Sequence, residues 1–172
     1  MEHTGASKKH LLFLLYPSVF LGPFGGLTVL ALIPSLERFF TDEPWFIPAS
    51  ITIYMMPFAF FQLFSGALSD IYGRKRIILF GLFTYSLASL LGASSTTTGM
   101  FLASRALQGL GSAFIAPTIM AVIGDVFLYT ERGRIMGGYG ASTTAGTALG
   151  PFVGGFLALI DWRLAFVLLF LF

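Results

Sequence analysis

Gly66-Ala67-Leu68-Ser69-Asp70-Ile71-Tyr72-Gly73-Arg74-Lys75-Arg76 sets three consecutive cations behind a glycine, between two long stretches, 44–69 and 77–104, without a charged residue. Further charge-free runs lie outward from it at 11–36, 106–124 and 135–160. Each run meets or approaches the ~20 apolar residues that a helix needs to cross a bilayer. The pattern predicts an all-α, multi-pass membrane protein with its charges confined mostly to the connections. A transmembrane β-barrel would show ~10-residue segments of alternating character instead. Composition agrees: 56% of the 172 residues are hydrophobic and 10% charged, against roughly 25% charged in a soluble domain.

Several function classes drop out at once. The net charge of +2 comes from Lys and Arg residues placed between spans, so no basic face for nucleic acid is expected. There is no cysteine, and both histidines, His3 and His10, precede the first run. Thiolate metal sites and a Ser-His or Cys-His pair within the membrane are therefore excluded, and no metal or cofactor is implied. The chain also lacks G-x-S-G, G-x-G-D and G-x-x-x-x-G-K-[ST]. These absences argue against an intramembrane enzyme and an ATP-driven pump.

The runs predict a tail over 1–10 and helices near 11–34, 47–68, 77–94, 99–124 and 136–160, with a sixth starting at 163 within a half-domain spanning 11–172. Pro17, Pro23, Gly25 and Gly26 are expected to interrupt the first helix. A cytoplasmic N-terminus puts Lys8, Lys9, Arg74, Lys75, Arg76, Arg132 and Arg134 inside and leaves Arg38 and Arg163 outside, near Glu37, Asp42, Glu43 and Asp161. The positive-inside rule favours that orientation, and Trp45 and Trp162 then fall at outer span ends. From Leu164 to Phe172 a helix rises only ~14 Å at ~1.5 Å per residue, about half the ~30 Å hydrocarbon core. The sixth helix is thus expected to be incomplete and the chain to be an N-terminal fragment.

Residues 66–76 fit G-x-L-x-D-x-x-G-R-[RK]-[RK] throughout, and in this they resemble the loop signature called motif A of the major facilitator superfamily. Arg105-Ala106-Leu107-Gln108-Gly109 resembles the family's R-x-x-Q-G element, the stretch Asp125 to Arg134 its connection between helices four and five, and Asp161-Trp162-Arg163 the start of its sixth helix. Gly137, Gly146, Gly150, Pro151, Gly154 and Gly155 satisfy G-x8-G-x3-G-P-x-x-G-G, similar to motif C of the proton-coupled antiporters in that superfamily. The resemblance covers nearly the whole chain and matches the N-terminal six-helix half of a transporter of twelve or fourteen helices.

The resemblance implies proton-coupled efflux of drugs or other small molecules by alternating access. The partners it implies are the lipid bilayer, a small-molecule substrate, protons and the missing C-terminal half. The implied location is the plasma (cell inner) membrane. Asp70 and Arg74, with Gly66, Gly73, Lys75 and Arg76, would form an inner gate latch. The glycines and proline of the fifth helix would form a sliding interface between halves. Arg105, the one full charge deep inside a span, and Gln108, three residues on and so on the same helix face, would line the substrate and proton pathway, with Gln62 beside them. The alternative for Arg105 is a side chain snorkelling to the outer surface. Many antiporters of this type carry an acid in the first helix. Residues 11–36 contain none, so proton carriage is expected in the other half. Asp70→Asn or Gly150→Leu in the complete protein is expected to stop transport without preventing membrane insertion. Two rival readings remain: a metabolite symporter or uniporter of the same superfamily, and a transport-inactive half.

Overall fold

A computed structural model describes residues 5–40 and 46–172. Asp42, Glu43 and Trp45 lie outside the described residues. The chain folds as α1 (Gly5–Phe39), α2 (Phe46–Tyr72), α3 (Arg74–Ala93), α4 (Thr98–Val126), α5 (Tyr129–Ala158) and α6 (Arg163–Leu171). Four of these, α1 to α4, are long and apolar enough to cross a membrane. α5 has the length at 30 residues, but its glycines, serines and threonines dilute its hydropathy.

Helices outrun the apolar runs because charged residues mark where the membrane ends, not where helical hydrogen bonding ends. α1 begins at Gly5, inside the expected tail, and Lys8 is tied to Glu131 at 3.2 Å. α5 begins at Tyr129, six residues before the apolar run that announced it, so most of the expected connection Asp125 to Arg134 is helical. The Glu131 carboxylate accepts from the Leu128 N–H at 3.2 Å, capping the first turn. Arg132 donates to the Phe127 carbonyl at 3.1 Å and the Gly124 carbonyl at 2.5 Å, satisfying the end of α4. α1 also runs unbroken through Pro17, Pro23 and Pro34, correcting the expected interruption. Proline is tolerated within a membrane helix when neighbours satisfy the backbone groups it frees.

α4 is the innermost helix: 61% of its apolar window is buried, against 11% for α2. It packs mainly on α2 and α3, while α1 packs mainly on α5 and α6 on α3. Two apolar clusters result. One gathers Phe40, Phe101, Trp162 and Phe166 at the end where α6 starts. The other gathers Leu15, Ile119, Ile123, Phe127 and Ile135 at the Lys8 end. Between them lies a buried polar band, which holds Thr28, Ser89, Arg105, Gln108 and Ser112.

Two glycine features shape this bundle. Gly146, Gly150 and Gly154 face α1, where an added Cβ would lie 2.6 Å from the Phe20 carbonyl oxygen, 2.5 Å from that of Phe24 and 2.8 Å from Thr28 Cγ2. Gly73, between α2 and α3, has φ +94°, the one positive φ among the described residues. Gly73→Ala is therefore expected to cost about 1–3 kcal/mol in backbone strain, although open space surrounds the position. A lower melting temperature in detergent at unchanged helical content would show it. An unchanged melting temperature would mean that the turn has another solution.

Candidate functional site

The buried polar band is organised around Arg105, whose side chain is 0% exposed. Its Nη1 donates to Gln108 Oε1 in a short contact and to the Gly25 carbonyl at 3.4 Å. Nη2 donates to the Gly26 carbonyl at 3.4 Å, and Nε has no partner. Having no side chains, Gly25 and Gly26 leave their carbonyls approachable from the side. Among the described residues no carboxylate balances the charge. An arginine at the centre of a membrane helix costs ~2.5–3.5 kcal/mol on insertion scales, so these partial charges carry its compensation.

From Gln108 the network has a single polarity. Gln108 Nε2 donates to Ser89 Oγ at 2.8 Å, and Ser89 Oγ donates to the Tyr85 carbonyl at 2.8 Å. The Tyr85 hydroxyl donates to the Leu21 carbonyl at 3.1 Å. A Cβ on Gly25 would fall on that hydroxyl, which explains the glycine there. On the other side, the Tyr54 ring lies 4.5 Å from Arg105 Cζ. The Tyr54 hydroxyl donates to the Gly22 carbonyl at 3.0 Å and pairs with Ser112 Oγ at 2.8 Å. The group therefore draws on α1, α2, α3 and α4 together.

Arg105 and Gln108 share a helix face as expected and bond to each other. That face points into the bundle: both side chains are fully buried within these six helices, so neither lines an open cavity or snorkels to a surface. Close-packed carbonyls and an aromatic face stabilise the cation. Gln62, half-buried on α2, makes none of the bonds that hold Arg105; it lies eight residues, or about 12 Å of helix rise, beyond Tyr54. Tyr54, Tyr85, Ser89 and Ser112 were not anticipated. Ser112 was readable, because Arg105, Gln108 and Ser112 at i, i+3 and i+7 make one polar stripe on an apolar helix.

A second cluster sits at the Lys8 end. Arg74 Nη2 lies 2.5 Å from Asp70 Oδ1, and its Nε donates to Asp125 Oδ2 at 2.9 Å. Nη1 donates to Ser69 Oγ at 2.5 Å and to the Gly66 carbonyl at 3.4 Å. One guanidinium thus joins the end of α2, the start of α3 and the end of α4. Lys75, Arg76 and Gly73 are exposed beside it, whereas Gly66 is half-buried. The acids are 62% and 56% exposed, and ion pairs so open to water contribute only ~0.2–1 kcal/mol each. This cluster adds little to stability and is free to break. Next to it, Lys8 and the Leu128 N–H hold the Glu131 carboxyl below the usual carboxylate range.

In α5, Gly146, Gly150 and Gly154 are spent on α1 within this chain, Gly137 is exposed, and Gly155 and Pro151 are half-buried. Thr143 and Thr147 bond backbone carbonyls of their own helix.

A family model described as the Major Facilitator Superfamily matches residues 12–172. The chain belongs to that family. It is a family of transporters, not of enzymes. The superfamily relatives include a puromycin resistance protein of Streptomyces alboniger, 37% identical over a region covering 80% of this chain and 28% of that protein. Multidrug resistance protein 2 of Bacillus subtilis is 30% identical, covering 96% of this chain and 42% of its own length. The chain thus spans less than half the length of these relatives. Among solved structures, a superfamily fold is shared with a peptide transporter at TM-score 0.81 and 19% identity, over 93% of this chain and 35% of the other.

Proposed function

We propose that this chain supplies the N-terminal half of a proton-coupled exporter of drugs or other small molecules. It would work by alternating access in the plasma (cell inner) membrane, with the N-terminus cytoplasmic and a C-terminal half as partner. The tail is assigned to 1–10 and the half-domain to 11–172. The observation that carries the reading is the Arg74 clamp: a gate must close firmly and open cheaply, and a guanidinium shared by two water-exposed carboxylates from α2 and α4 does both. The resistance proteins among the relatives supply the substrate class. Gly66, Asp70, Gly73, Arg74, Lys75 and Arg76 make up the latch in this proposal. Arg105, Gln108 and Gln62 belong to the pathway, reached when the helices around them shift. The side of α5 that carries exposed Gly137 and half-buried Pro151 meets the other half, with Gly155 at its border against Ala31 of α1.

The test uses the complete protein that carries this chain, in cells lacking other pumps, with puromycin as the probe. Efflux is expected, and a protonophore is expected to abolish it. Asp70→Asn is expected to lower efflux at least tenfold at equal membrane abundance, because Arg74 keeps Asp125 but loses its one charged partner on α2, where only Ser69 and the Gly66 carbonyl then hold it. Efflux that survives the protonophore would favour the uniporter reading, and full efflux by Asp70→Asn would remove the latch.

A further inference from the structure

We infer that Tyr54 is the positioning residue for Arg105, a role that rests on the transport reading for its purpose but not for its geometry. Three observations meet in this one side chain. Its ring face lies 4.5 Å from the guanidinium carbon, a separation at which the negative ring face attracts a desolvated cation. Its hydroxyl is fixed at both ends, by the Gly22 carbonyl of α1 and by Ser112 Oγ of α4. Its backbone is locked as well: a Cβ on Gly109 would overlap the Tyr54 carbonyl, and one on Gly26 would lie 3.2 Å from the Tyr54 ring. A side chain held at its backbone, its ring edge and its tip is a rigid platform.

The other partners of Arg105 cannot do this work. The bonds to Gly25 and Gly26 are long at 3.4 Å, Nε is unpaired, and Gln108 sits on the same helix as Arg105 and ties it through Ser89 to α3, not to α2. Without Tyr54 the guanidinium keeps its charge but loses the ring face that ties it to α2. Tyr54 thereby links the position of α2, the least buried of the four apolar helices, to the orientation of the buried cation. A movement of α2 that freed the Arg74 latch would slide the platform under Arg105.

The experiment compares Tyr54→Phe, Tyr54→Leu, Arg105→Met and the Leu/Met double variant in the complete protein. Puromycin export and thermal melting are both measured at equal membrane abundance. Tyr54→Phe keeps the ring but gives up the hydroxyl's anchors to Gly22 and Ser112, and its maximal rate is expected to fall between those of the unmodified protein and Tyr54→Leu. Tyr54→Leu is expected to fall about tenfold, equivalent to about 1.4 kcal/mol in the barrier, with KM unchanged. The melting shifts of Tyr54→Leu and Arg105→Met are expected not to add in the double variant, because the two lose the same contact. Additive shifts overturn the proposal, as does a Tyr54→Phe as slow as Tyr54→Leu, or a Tyr54→Leu at full rate. A raised KM at unchanged maximal rate also overturns it, since Tyr54 would then touch the substrate. Should Tyr54→Leu not reach the membrane, Tyr54→Met takes its place. If the unmodified protein exports no probe, the transport reading fails alone, and the melting cycle still decides whether Tyr54 holds Arg105.

Discussion

Arg105→Met is expected to leave the folded protein as stable as before, or more so, while lowering export at least about a hundredfold. The two halves of that expectation have different causes. For stability, the charge is costly to bury and its compensation is partial, with one nitrogen unpaired and two carbonyls at 3.4 Å. Breaking a buried ion pair is costly because it strands the opposite charge, whereas here no carboxylate among the described residues is paired with the arginine, so an apolar side chain of similar length removes a desolvation cost without stranding a charge. Methionine fills the space between the Tyr54 ring and the Gly25-Gly26 backbone, and Gln108 keeps Ser89 as a partner. For export, a group aligned by four helices loses its charge, and misplacement of even ~1 Å at such a site costs about a hundredfold. Arg105→Lys should rescue only part, because an ammonium is a point charge and cannot reach Gln108 and two carbonyls together as a planar fork does. Puromycin export and detergent melting curves, taken on the same preparations, check both halves. Full export by Arg105→Met would make the arginine a structural strut.

Gly150→Leu is expected to destabilise the fold strongly by prising α1 from α5. A Cβ there lies 2.5 Å from the Phe24 carbonyl oxygen and 3.3 Å from both the carbonyl carbon and Cα of Phe24, all backbone atoms that no rotamer can move aside. Relief requires α1 and α5 to separate, which also opens the contacts at Gly146 and Gly154. Overpacking usually costs ~1–3 kcal/mol, and a rigid backbone obstacle shared along a helix pair places this variant at about 3 kcal/mol. Gly137→Ala, with nothing within 4 Å, is the matched control and should melt with the unmodified protein. Retained melting for Gly150→Leu would show that the pair can slide. The variant was expected from sequence to spare insertion and stop transport. Insertion of single helices still holds, and the new element is that their packing fails.

The sequence revealed most where chemistry is local. The glycine between α2 and α3, the cations after it, and the Arg105-Gln108 pair were all readable, because a turn needs its glycine and i, i+3 residues share a face. What surrounds that face was not readable. α4 is apolar nearly all round, so periodicity says which residues point together but not whether they point to a cavity or to Tyr54 and Gly25. The same limit applied to α5, where a glycine stripe announces a close neighbour without naming it, and α1 is the neighbour of Gly146, Gly150 and Gly154. Asp125 lies 51 residues from Arg74, a separation at which no spacing rule predicts a contact.

The pairing of α1 with α5 also dictates an order of events during synthesis. α1 reaches the bilayer first, with three prolines in its length, yet the surface it fits is made last but one. Tyr16 waits for the Ile135 carbonyl, 119 residues downstream, roughly 6–24 s at ~5–20 residues per second. Through that interval α2, α3 and α4 can reach α1, but the face that α5 will cover has only lipid, the translocation machinery or a chaperone for company. Nascent chains halted before α5 should therefore expose α1 to crosslinking by their surroundings, and those halted after it should not.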